Sequence, residues 1–241
     1  MMGGMPRTRT VLLGSSYVAL AVADSLAAGS SGVTARRLRH VLKPALMPTL
    51  AAAFVGATRG DGTGGGSSHL RTGTIAAQAL SWGGDVALLG TGRRSFLAGV
   101  GSFFAAHVAY LAANLSVRGE TQDYDTAGLK GALGVWLVIA PVMGLAAGRK
   151  DPTLRVPVAA YASILCAMFA SSRMLDPALP RGSRRTLQTG TALFLVSDTV
   201  LAAQKFLLDE PRPVLESVVM ATYTAGQGLI AVGAAGAVRA T

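Results

Sequence analysis

Four ionisable side chains stand inside stretches that are otherwise apolar: Asp24 in "VALAVADSLAA", Asp85 in "ALSWGGDVALL", His107 in "FLAGVGSFFAAHVAY" and Asp198 in "GTALFLVSDTVLAAQKF". An ionisable group at mid-bilayer costs roughly 2.5–3.5 kcal/mol on insertion scales, so such residues face a bundle interior or a water-filled cavity. Two carboxylates in unlike surroundings divide the work of general acid and general base. Asp85 and Asp198 are therefore the candidate catalytic pair, with the order of acid and base open between them. The rival reading from another class is a proton-coupled transporter of a small or lipid-like solute, in which buried carboxylates relay protons.

The elements that must position these groups are read from composition and hydropathy. Of 241 residues 51% are hydrophobic and only 14% charged, and the mean hydropathy is +0.45; this is the balance of a polytopic membrane protein. Apolar runs of about 18 to 23 residues recur, each long enough to cross a bilayer. Eight spans are expected, near 11-29, 41-58, 72-90, 95-113, 127-147, 154-171, 186-208 and 214-238. Between them "GSSGVTARRLRH", "TRGDGTGGGSSH", "SVRGETQDYD" and "DPALPRGSRR" gather charge, Gly and Pro and read as loops. Backbone in hydrocarbon satisfies its own hydrogen bonds, so the fold class is all-α: one integral membrane domain over 1-241, a helix bundle of eight spans. The basic start and small-residue end of the first span imitate a signal peptide, but Asp24 inside it favours a retained helix.

Alternating span direction places Asp24, Asp85 and Asp198 past the midpoints of odd spans, and Lys43, Tyr161 and Glu216 in the first halves of even ones. All six then fall in one half of the bilayer. Helical spacing puts Gln78, Ser81 and Asp85 on one face, and likewise His107 with Tyr110 and Asn114, Asp198 with Lys205, and Glu216 with Tyr223 and Gln227. "ALSWGGDVALL" and "ALFLVSDTVLA" share Ala-Leu, Asp and Leu at identical offsets, which points to two parallel four-helix repeats.

Other signals carry less. The net charge of +10 and pI near 10.6 reflect Lys and Arg in loops beside spans, so no nucleic-acid partner is expected. The 22 Lys and Arg split evenly between the two sides and give no orientation. "GDGTGGGSS" lacks the lysine of a P-loop and reads as a flexible loop. The scattered His40, His69 and His107 give no support to a zinc site. The lone Cys166 reads as a packed thiol. The Ala-, Gly- and Arg-rich composition points to a bacterial cell membrane.

"KPALMPTL" (43-50), "ALSWGGDVALL", "FLAGVGSFFAAHVAY", "YASILCAM" (161-168), "GTALFLVSDTVLAAQKF" and "YTAGQGLI" (223-230) together resemble the successive motifs of the YhhN-like lysoplasmalogenase family. They run in order from residue 43 to 230. The resemblance implies an eight-helix membrane hydrolase that cleaves the vinyl ether bond of a single-chain lysophospholipid. The products are a fatty aldehyde and glycerophospho-ethanolamine or glycerophosphocholine.

That chemistry starts with protonation of an alkene carbon and ends with water delivered to an oxocarbenium ion, work that suits Asp85 and Asp198. Lys43 and His107 match motif positions and would hold the phosphate or tune the pair. Ser81, Tyr161, Tyr223 and Gln227 are expected to line the cavity, with Lys205 in support. No metal or organic cofactor is called for. Membrane lipids are the expected partners, and a single-chain substrate implies a sideways opening to lipid.

Overall fold

A computed structural model describes residues 7–59, 65–210 and 212–240. Their eight long helices are α1 (Arg7–Ala28), α2 (Val33–Ala57), α3 (Gly65–Ala87), α4 (Arg93–Leu115), α5 (Thr126–Lys150), α6 (Arg155–Ser171), α7 (Arg181–Leu207) and α8 (Pro213–Ala240). Two single 3-10 turns are the other helical elements, and no strand is formed among the described residues. Six of the helices are long and apolar enough to cross a membrane, which makes the chain an integral multi-pass membrane protein. The two that fall outside this group, α3 and α7, carry Asp85 and Asp198. Their polar stripes lower the mean hydropathy because they face the bundle rather than lipid.

Several helices begin earlier than the apolar runs do. α2 starts at Val33, so "VTARRLRH", expected as loop, forms its first two turns. Arg, Leu and Ala are strong helix formers, and charge alone does not break a helix that emerges from the bilayer. α3 likewise starts at Gly65, turning part of an expected loop into helix; residues 60–64 of the Gly-rich stretch lie outside the described residues.

Consecutive helices pack as hairpins, α1 with α2, α3 with α4, α5 with α6 and α7 with α8, and α1 closes the bundle against α8. The tightest pair is α7–α8. A Cβ on Gly190 would lie 2.7 Å from the Ile230 backbone nitrogen, and one on Gly233 would lie 2.7 Å from that of Leu187. Small residues here let two backbones touch, the usual route to helix association where water gives no driving force. This contact fixes the helix of Asp198 against the helix of Tyr223. The pairing departs from a strict twofold: α1 meets α8, whereas the equivalent pair α5 and α4 makes no contact.

Proline shapes the link from α2 to α3. Pro48 has no N–H to give the carbonyl of Pro44, and that carbonyl instead accepts the indole N–H of Trp82 at 3.0 Å. Trp82 is one residue from Ser81 and three from Asp85, so the interruption in α2 anchors the helix that carries the aspartate.

Candidate active site

Asp85 comes from the last turn of α3 and is buried. Its Oδ2 accepts the hydroxyl of Tyr223 at 2.7 Å, and its Oδ1 lies 3.4 Å from Lys43 Nζ. Lys43 is buried too, ten residues into α2, so the pair forms a desolvated ion contact. Tyr223 stands on α8, where Gly226 lets α7 approach closely enough to bring both aspartates to one space.

Asp198, on α7, has a different company. Its Oδ2 accepts the hydroxyl of Tyr161 at 2.5 Å, and His107 Nε2 lies 3.7 Å from the same oxygen. His107 Nδ1 is 2.6 Å from the carbonyl of Phe103. A carbonyl only accepts, so Nδ1 carries a proton there and the ring turns Nε2 toward Asp198. That Nε2 is buried and has no hydrogen-bond partner among the described residues. Unlike Asp85, Asp198 has no Lys or Arg within ion-pair distance among the described residues.

Phe103, Phe194, Tyr223, His107 and Tyr161 form an edge-to-face aromatic cluster around the two carboxylates, with ring centroids 4.7 to 6.5 Å apart. Such packing fixes ring orientation and hence the two hydroxyls that the aspartates hold. Gly84 makes room for it, since a Cβ there would sit 2.5 Å from the Phe103 ring.

Both aspartates line one cavity of about 370 Å³ that opens at the end of the bundle where α2, α4, α6 and α8 begin. Leu88, Val100, Val158, Leu201 and Met220 give it an apolar wall. Arg36, Arg39, His40, Lys205 and Glu216 belong to its outer part. A larger cleft of about 860 Å³ between α1, α2 and α8 is walled mostly by Ala, Val, Leu and Gly and reaches neither aspartate.

The expected site residues divide into two groups. Lys43, Tyr161, Tyr223, Lys205, Asp85 and Asp198 all border the cavity. Ser81 and Gln227 do not: Gln227 Nε2 donates to Ser81 Oγ at 3.0 Å and its Oε1 accepts the Tyr110 hydroxyl at 2.5 Å, a buried network one helical turn deeper. His107 also lies behind the wall and reaches the site through Asp198 and the Tyr161 ring. Lys205 stands at the mouth with its ammonium 4.2 Å over the Phe96 ring. The expected equivalence of the two four-helix repeats breaks at the aspartates as well, because Asp85 takes a tyrosine from α8 while Asp198 takes one from α6. Residues that the sequence reading passed over are Arg36, Arg39 and His40, whose signal was their spacing of three and four on what proves to be helix. Cys166 is a free, buried thiol. Among the described residues no three His, Cys, Asp or Glu side chains gather as metal ligands would.

Over 172 residues the chain is 31% identical to the lysoplasmalogenase TMEM86B of Homo sapiens, a match covering 70% of this chain and 65% of that protein. Over 169 residues it is 32% identical to the lysoplasmalogenase TMEM86B of Sus scrofa, covering 69% and 64%. The matches thus span just under two thirds of the length of these curated relatives. No solved structure matches the chain. Residues 38–234, which hold both aspartates, Lys43, both tyrosines and the whole aromatic cluster, match the YhhN family, and the chain belongs to that family.

Proposed function

We propose that the protein is a lysoplasmalogenase, hydrolysing the vinyl ether of a single-chain phospholipid by aspartate acid/base catalysis. The observation that carries the reading is the unlike company of two carboxylates at the floor of one apolar-walled cavity. Lys43 balances the charge of Asp85, whereas Asp198 faces a tyrosine hydroxyl and a histidine nitrogen. The names of the relatives supply the reaction class.

In this reading Asp198 starts protonated and Asp85 ionised. Asp198 gives its proton to the alkene carbon farther from the ether oxygen, and the electron pair of the double bond forms the new C–H bond. The carbon next to oxygen becomes part of an oxocarbenium ion, which the Asp85 carboxylate stabilises. Water adds to that carbon as Asp85 takes one of its protons, giving a neutral hemiacetal. Asp85 then protonates the departing ether oxygen while Asp198 recovers the hemiacetal hydroxyl proton. The C–O bond breaks to aldehyde and glycerol hydroxyl, and both aspartates return to their starting states. Tyr161 and Tyr223 hold the two carboxylates in orientation throughout.

The test is aldehyde release by detergent-purified protein from a 1-alkenyl lysophospholipid, run beside the 1-alkyl analogue, whose saturated ether offers no alkene to protonate. Release from the alkenyl lipid alone is expected. No release from a well-folded protein would overturn the reading, and uptake of solute into vesicles would then favour a transporter.

A further inference from the structure

The outer part of the cavity holds a charged arrangement that the proposed chemistry does not use. Arg36, Arg39, His40 and Lys43 follow one another on α2 at steps of three, one and three residues, and all four border the cavity. This spacing makes one stripe along the helix. The stripe grades with depth: Arg36 and His40 are exposed, Arg39 is half-buried and Lys43 is buried. A cationic track therefore leads from the bundle end down to Asp85.

Arg39 is the odd member. Its Nε lies 3.4 Å from Asp24 Oδ1 and its Nη1 3.9 Å from Glu216 Oε2, both ion contacts rather than hydrogen bonds. Arg39 Nε and both oxygens of the fully buried Asp24 have no hydrogen-bond partner among the described residues. A guanidinium is a planar fork built for two parallel bonds to a phosphate or carboxylate. Here the fork is held between two acids yet hydrogen-bonded to neither. Glu216 is steadied by Gln204, whose Nε2 donates to it at 2.8 Å, and its other oxygen faces Arg39 at the cavity. Asp24 lies behind the wall and holds Arg39 in place.

We propose that the Arg39 turn of α2, together with Arg36, His40 and Glu216, is a headgroup subsite for a phosphate diester bearing a primary ammonium, as in a phosphoethanolamine lipid. The inference rests on the reading of the floor as the site of vinyl ether cleavage. Arg39 stands four residues above Lys43, about 6 Å along the axis at 1.5 Å per residue. Lys43 in turn touches Asp85. In a 1-alkenyl glycerophospholipid five covalent bonds separate the ether oxygen from phosphorus, a reach of about 6 Å when extended. With the ether at the aspartates, the phosphate falls at the Arg39 fork. Three further bonds carry the ammonium about 4 Å beyond the ester oxygen, toward Glu216. The subsite is cationic enough to take the phosphate and keeps one facing acid for the amine.

The test uses binding, so that it does not depend on turnover. Dissociation constants are measured on detergent-purified full chain for four probes: 1-O-hexadecyl-glycero-3-phosphoethanolamine, 1-O-hexadecyl-glycero-3-phosphate, 1-O-hexadecyl-glycerol and inorganic phosphate. None carries a vinyl ether. The wild type is expected to prefer the phosphoethanolamine lipid over the alkylglycerol by about tenfold or more, in line with a charge-assisted bidentate contact. Arg39→Gln should erase that preference, and Arg36→Gln at the exposed rim should reduce it by about threefold. Glu216→Gln should keep the preference for phosphate but lose that for the ammonium-bearing lipid over the phosphate monoester.

Each preference is a ratio within one variant, so a general loss of stability does not imitate it. An Arg39→Gln protein that keeps the wild-type ratio would overturn the subsite. So would displacement of the lipid by millimolar inorganic phosphate, which would make this a site for the free anion. Aldehyde release, assayed separately, keeps the two readings apart. Headgroup preference without aldehyde refutes the reaction, and aldehyde without an Arg39-dependent preference refutes the subsite.

Discussion

Replacing Lys43 by Met isolates the electrostatic design of the site. The ammonium is 3.4 Å from Asp85 Oδ1, with the two side chains only 11% and 1% exposed, so water screens the pair little. At that separation and an effective dielectric of about 20 the attraction is about 5 kcal/mol. Removing one partner of a buried pair costs about 3–5 kcal/mol, because the other charge is left desolvated and unpaired. Met keeps the length and most of the apolar stem of Lys, so packing changes little. Lys43→Met should lose about 3 kcal/mol or more of stability by these measures.

Asp85→Asn should lose less, about 1–2 kcal/mol, because the Lys43 stem can carry its ammonium outward along the Arg39 turn. The double variant removes both charges and should lie within about 1 kcal/mol of wild type. The assay is reversible unfolding in mixed micelles by sodium dodecyl sulfate, followed by circular dichroism, for wild type, both single variants and the double. The predicted coupling energy, the sum of the single losses less that of the double, is about 3–6 kcal/mol. Coupling below about 0.5 kcal/mol would show that Lys43 does not hold the Asp85 charge, and the division of roles between the two aspartates would lose its basis.

Three other outcomes follow from the same structure. Tyr161→Phe removes the hydroxyl that Asp198 accepts at 2.5 Å; kcat for aldehyde release should fall about tenfold or more with KM little changed, and an unchanged kcat would exclude a positioning role. Gly190→Ala puts a methyl 2.7 Å from the Ile230 backbone and should cost about 1–3 kcal/mol in the same unfolding assay, whereas a neutral result would mean that α7 and α8 are not in backbone contact.

The third outcome concerns pH. In the turn between α5 and α6 the Thr153 hydroxyl and N–H, bonding to Asp151 at 2.7 and 2.9 Å, hold its carboxyl below the usual range, aided by Arg93. A lowered folded value stabilises above the unfolded value of about 3.9, and that stabilisation is lost as pH falls through the folded value. The Tm gap between wild type and Asp151→Asn should therefore be present at pH 7 and close in strong acid. A gap independent of pH would contradict it.

Much of this was legible in the residues, and the rest fails for physical reasons. Apolar runs show helices because backbone in lipid has no other regular choice, and Asp85 and Asp198 stand out because charge in such runs is costly. Hydropathy reports where lipid ends and not where a helix ends, so the charged start of α2 looks like loop in the sequence and its stripe of Arg36, Arg39 and His40 stays hidden. Periodicity put Ser81 with Asp85 and Gln227 with Tyr223 on common faces, but a face says nothing of depth. Both proved to lie one turn below the cavity. The partner of Asp198 could not be read at all, since the order of helices in space decides whether Tyr110 or Tyr161 reaches it.

The central claim is that Asp198 delivers a proton to carbon while Asp85 activates water, and the products of reaction in D2O test it most directly. The 1-alkenyl lysophospholipid is turned over by wild type, Asp85→Asn and Asp198→Asn in D2O. The aldehyde is trapped at once with borohydride, and deuterium at its second carbon is read by mass spectrometry. The account predicts one deuterium at that carbon from the wild type, and loss of nearly all product from both folded variants. Aldehyde without solvent deuterium at that carbon, or wild-type turnover by either variant, would contradict it.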